Sequence, residues 1–159
     1  MPTFETRLAS VVVKNITDCT ELLEVERLSG GASQETYRLK VLLNGIATPL
    51  AMRRTPGGEY VEALPAHPGL DVEALLMQSA KAVGVPEPEV YHVLTREDDL
   101  GDGFIMEWIE GEALGARITR DPQFASIRPT LAKACGEILA RIHGIDLDQS
   151  GLRSRLAEL

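Results

Sequence analysis

The stretch around Asn44-Gly45 constrains the fold more than any other part of the chain. Tyr37, Leu39 and Val41 are apolar and alternate with Arg38 and Lys40, which is the period of a strand with one buried face. Asn-Gly follows, the pair that best tolerates the left-handed backbone of a tight hairpin. A further strand-like run, Pro49 to Arg54, lies on the other side. Upstream, Glu21 to Leu28 places Leu23, Val25 and Leu28 in a strand-like setting and runs into Ser29-Gly30-Gly31-Ala32-Ser33. Five small residues in a row hold no regular element but permit unusual φ/ψ angles. Residues 21–54 therefore read as a three-stranded antiparallel meander whose first turn is glycine-rich.

The flanking segments complete an α+β chain. Phe4, Leu8, Val11 and Val12 recur at helical spacing over 4–16, and Asn15 and Asp18 mark a break. Residues 55–70 hold Pro56, Pro65 and Pro68 with Gly57, Gly58 and Gly69, a loop composition. A helix is predicted from Asp71, with Val72, Leu75, Leu76, Ser79 and Val83 on one face and a stop at Gly84 before Pro86 and Pro88. Val90 to Leu94 and Phe104 to Ile109 read as two more strands, joined by an acidic turn. From 123 to 143, Phe124, Ile127, Leu131, Cys135, Ile138 and Ile142 recur every three or four residues, so this segment reads as a long amphipathic helix capped by Gly144. The order is not the alternation of a parallel βαβ sheet. It predicts a five-stranded antiparallel sheet with a helix packed on it, followed by further helices.

Charge and composition exclude several classes. Lys+Arg number 16 and Asp+Glu 24, for a net charge of −8. A sequence-independent nucleic-acid binder needs a basic face, and so does a protein docking on an anionic membrane. Neither is expected. No apolar run reaches the length of a membrane span, and the N-terminus lacks a signal-peptide pattern, so a cytoplasmic location is the expectation. Cys19 and Cys135 are far apart and read as reduced thiols in or near the core. His67, His92 and His143 show no metal-ligand spacing, and no metal site is expected in the chain.

Four features carry chemistry. The glycine-rich turn can converge backbone N–H groups on an anion. Arg53, on the same face of its strand as Ala51, is a cation one strand beyond that turn. Glu73, early in the next helix, can pair with Arg53 and hold it in position. Phe104 to Gly111 is an apolar strand whose end can present backbone groups to a purine edge.

Their order is that of the N-lobe of protein-kinase-like folds, and the wording resembles one branch of them, the aminoglycoside phosphotransferase / choline-kinase-like family. The resemblance is carried by LSGGASQETYRL (28–39), LAMRRTPGG (50–58), GVPEPEV (84–90), FIMEWIEG (104–111) and LARIHGIDL (139–147). It implies that Gly30, Gly31, Ala32 and Ser33 cover the phosphates of ATP or GTP. It further implies that Arg53 contacts the α/β-phosphates with Glu73 as its partner, that Ala51 roofs the base, and that Met106 stands behind it. The Glu107 carbonyl and the Ile109 N–H would bind the purine edge. On this reading residues 1–110 form the ATP-binding N-lobe, and 111–159 the hinge and start of a helical lobe. The partners are a nucleotide with Mg2+ and a small-molecule hydroxyl acceptor. Two departures from the protein-kinase pattern stand out: Gln34 occupies the place of the last loop glycine, and Arg53 replaces a lysine, at a place where many relatives carry Lys or Arg.

A third departure concerns catalysis. The family implies H-G-D-x-x-x-x-N and a later Asp, with the metal ligands among them. His143-Gly144-Ile145-Asp146 does not fit, because Ile145 stands two residues after the histidine. No catalytic residue is expected in the 159 residues, which read as the N-terminal part of a larger protein. An apolar face left on the 123–143 helix predicts self-association. The alternative is a non-catalytic binding or interaction module that keeps the N-lobe shape.

Overall fold

A computed structural model describes residues 2–29, 33–62, 64 and 68–156. Its elements are α1 (Phe4–Asn15), β1 (Cys19–Arg27), β2 (Glu35–Leu43), β3 (Ile46–Arg54), α2 (Leu70–Ala82), β4 (Val90–Val93), β5 (Gly103–Glu107), α3 (Gly115–Arg120) and α4 (Arg128–His143). The five strands form one sheet in the order β1-β2-β3-β5-β4, and every neighbouring pair is antiparallel. The α+β class and the five-stranded antiparallel sheet are as the sequence predicts.

The meander forms where the turn chemistry places it. Asn44 and Gly45 both have positive φ, 51° and 75°, so the turn twists with its strands, and Leu43 faces Ile46 across it. Strand β3 starts at Ile46 rather than Pro49, because a two-residue turn leaves nothing unpaired between the strands.

Directly opposed residues in an antiparallel sheet share a face. Tyr37, Met52 and Ile105 are aligned on one face. With Leu39, Val41 and Leu50 they form the main core beneath α1, whose Leu8, Val11 and Val12 are buried on them. Thr3 caps α1 by accepting from the Thr6 N–H at 3.2 Å. The other face carries Thr36, Arg53 and Phe104 in one row and Arg38, Ala51 and Met106 in the next. Helix α2 covers its β4–β5 end, where Leu70, Ala74, Val90 and Phe104 form a second cluster. The packing stripe of α2 is Leu70, Ala74 and Met77, spaced four and three. Leu76 and Val83, which the sequence places on the buried side, are each 36% exposed.

Past β5 the prediction holds in part. The 123–143 segment is divided: a 3-10 turn spans Pro122–Phe124 and α4 starts only at Arg128, with Pro129 in its first turn. Helix α3 precedes it and is absent from the sequence expectation. Gly144 caps α4 as predicted. No residue of α4 is buried, and Leu139 and Ile142 are exposed. Cys19 is buried, which pushes its thiol pKa up, but Cys135 is exposed on α4, contrary to the expectation of two core thiols. The difference follows from the lack of a packed layer over α4 among the described residues. No helix among them is long and apolar enough to cross a membrane.

Candidate nucleotide site

The pleat of β3 separates two adjacent arginines. Arg53 leaves the sheet on the α2 side, and its Nη1 donates to Glu73 Oε1. Its Nη2 donates to Gln34 Oε1. Glu73 lies in the first turn of α2, where a carboxylate also complements the helix dipole. Both members of the ion pair are about one-third exposed, so the pair faces solvent without being fully solvated. A guanidinium has five N–H bonds. With one given to Glu73 and one to Gln34, three remain for an anion. Their planar fork suits two phosphate oxygens at once.

Arg54 leaves on the α1 side and is almost buried. Its Nε donates to Glu35 Oε2 at 2.8 Å, its Nη2 to the Tyr37 hydroxyl at 3.1 Å, and its Nη1 to the Leu100 carbonyl at 3.2 Å. The guanidinium also lies 4.3 Å from the centroid of the Phe4 ring. Arg27 pairs with the other Glu35 oxygen at 3.0 Å. Burial pushes the Glu35 carboxyl pKa up. Hydrogen bonds from Tyr37, the Gly57 N–H and Arg54 outweigh it and hold that pKa below the ordinary value. Arg54 thus braces the sheet while Arg53 is left for other work.

Ala51 is buried beside Met106, its partner across the β3–β5 ladder, and Met106 packs against the α2 cluster. Arg53 is opposite Phe104 in the next row of that face. Ala51, Arg53, Glu73 and Met106 are therefore brought together. Ser33, Gln34 and Glu73 line a cleft of about 610 Å³ together with Val61, Leu70 and Leu76. Glu107 ends β5 with its carboxylate turned to the Glu89 N–H at 3.1 Å, and Ile109 is exposed just beyond. Gly30, Gly31 and Ala32 lie outside the described residues. Among the described residues no group of three or more His, Cys, Asp or Glu converges as a metal site.

Two arrangements are new relative to the sequence expectation. Gln34 is a second holder of Arg53, where the sequence shows only a departure from glycine. Arg38, the cross-strand neighbour of Ala51, lies 4.9 Å from the Trp108 ring centroid and 3.6 Å from the Glu110 carboxylate, tying β2 to the segment after β5. A long polar side chain at a loop-glycine position is the one signal that singles out Gln34. Its reach to Arg53 depends on the β2–β3 register.

Comparison with known proteins follows the same lines. The profile of a family described as a phosphotransferase enzyme family (APH) matches residues 24–159. The mouse protein Acyl-CoA dehydrogenase family member 10 is 27% identical over 143 residues, an alignment covering 87% of this chain. The chain spans 12% of that relative's length.

Proposed function

Because the chain belongs to the phosphotransferase enzyme family, we propose that it is the nucleotide-binding part of an ATP-dependent small-molecule phosphotransferase. The observation that carries this reading is the Arg53–Glu73 pair beside Ala51 and Met106. Here a held guanidinium with unused donors lies next to a small apolar surface. The donor set fits a polyphosphate, and the surface beside it, with Ala51 as roof, fits a purine.

Each residue then has a role. Glu73 holds Arg53 so that its free N–H bonds meet the α- and β-phosphate oxygens of ATP or GTP. Ser33 belongs to the loop over the phosphates, with Gly30, Gly31 and Ala32. Ala51 and Met106 contact the base, and the Glu107 carbonyl and Ile109 N–H bind its edge. The accompanying Mg2+ supplies charge compensation at the phosphates, and its protein ligands are assigned to the helical lobe that follows an N-lobe of residues 1–110. In the whole enzyme the γ-phosphate passes to a hydroxyl acceptor, with electrostatic stabilisation of the phosphoryl group as the main catalytic contribution.

The test is calorimetric titration of the wild type and of Arg53→Ala with MgATP. Circular dichroism on each confirms the fold. Wild type is expected to bind, and Arg53→Ala to bind at least about tenfold more weakly, the loss of one charge-assisted fork. Equal affinity in the two proteins, or no binding by folded wild type, overturns the reading.

A further inference from the structure

We propose that Gln34 is a positioning residue for Arg53, and that glutamine at 34 and arginine at 53 work as a matched pair. The proposal rests on the reading of Arg53 as the phosphate-binding cation.

A guanidinium makes different demands on its holders from an ammonium. An ammonium is a compact point charge, and its direction matters little once a carboxylate holds it. A guanidinium is planar, and its value to a phosphate lies in where the plane faces. One contact at Nη1, the bond to Glu73, leaves that plane able to turn. A second contact at Nη2 removes the freedom, and Gln34 makes that contact. Arg53 can only donate, so the Gln34 amide must present its oxygen, and its NH2 group is turned elsewhere. Gln34 lines the cleft beside Glu73 and Ser33, so both holders of Arg53 border the same opening.

The base of the Gln34 arm is firm. The next residue, Glu35, opens β2 opposite Arg54 and is locked to it and to Tyr37 by hydrogen bonds of 2.8 Å each. A glutamine attached to that anchor has its reach defined by the sheet. Glycine at position 34 provides no arm, and a single unpartnered contact from Glu73 would leave the fork to sample many orientations at a cost in ordering entropy on binding.

The test is a double-mutant cycle over Gln34→Ala and Arg53→Ala, read with MgATP and separately with adenosine. Gln34→Ala is expected to weaken MgATP about five- to tenfold and to leave adenosine within about twofold, because only the phosphates meet Arg53. In the Arg53→Ala background, Gln34→Ala is expected to cost nothing further. Equal losses for MgATP and adenosine would mean a general disturbance of the loop and overturn the proposal. So would a full loss persisting without Arg53, which would make Gln34 a direct phosphate ligand. Arg53→Ala binding MgATP like the wild type would instead remove the phosphate reading itself. A nucleotide-free measurement closes the remaining gap: 15N relaxation of the Arg53 Nε–H should show a lower order parameter in Gln34→Ala than in wild type. An unchanged value means that Gln34 does not hold the guanidinium, and overturns the proposal.

Discussion

Arg53 and Arg54 are consecutive residues whose guanidinium groups end on opposite faces of one sheet, Arg53 on Glu73 and Gln34, Arg54 on Glu35 and Tyr37. The two are chemically identical and energetically different. Arg54 is 11% exposed and Arg53 33%, so water screens one and hardly reaches the other.

Removing the carboxylate at position 73 should therefore change binding more than stability. Glu73→Gln keeps the shape of the side chain and loses its charge. Unfolding free energy in urea is expected to fall by about 1 kcal/mol or less, the scale of a partly exposed ion pair at a helix N-terminus. MgATP affinity is expected to fall about three- to tenfold in the same protein. A stability loss well beyond that scale, with affinity retained, would make the pair a brace rather than a holder.

Arg54→Ala should do the reverse. It strands the buried Glu35 carboxylate, leaving the Tyr37 hydroxyl and the exposed Arg27 as its side-chain partners. Breaking a buried pair from one side costs about 3 kcal/mol. Chemical denaturation against wild type measures it, and a change below about 1 kcal/mol would show that the network is dispensable.

Acid should act through the same network. Glu35 and Asp98 both titrate below their ordinary values. At Asp98 burial works upward and is outweighed by hydrogen bonds from the Thr95 N–H, His92 and the Thr95 hydroxyl. A carboxyl whose folded-state pKa is depressed binds its proton more readily when unfolded. Its contribution is complete above the unfolded value, about 4.3 for Glu and 3.9 for Asp, and is lost as pH falls through the folded value. Stability measured from pH 6 to pH 3 should decline in the lower half of that range. Glu35→Gln, although less stable at pH 6, should decline less steeply. Parallel curves for the two proteins would exclude Glu35 as a contributor.

Much of the architecture was legible before any coordinate. Asn44-Gly45 acts through the torsion angles of two residues, and alternation through the pleat, so both are local and survive any context. The split of Ala51 and Arg53 from Met52 and Arg54 came from the same period of two, and Glu73 as the partner of Arg53 from its place early in the next helix, with the resemblance pointing the same way. Less legible were the face of α2 and the division of the 123–143 segment. Several rotations of an apolar helix look alike in sequence, and the sheet selects among them by the shape of Phe104 and Val90.

Local chemistry alone determined which segments became strands, where the chain turned back, and that a cation stood one strand beyond a run of small residues. Only the folded arrangement decided that Gln34 and Glu73, 19 and 20 residues from Arg53 on either side, meet its guanidinium together. The reason is geometric. Contacts of that separation depend on strand register and on how α2 seats over β5, and both are chosen by the packing of the whole sheet rather than by the residues that finally touch.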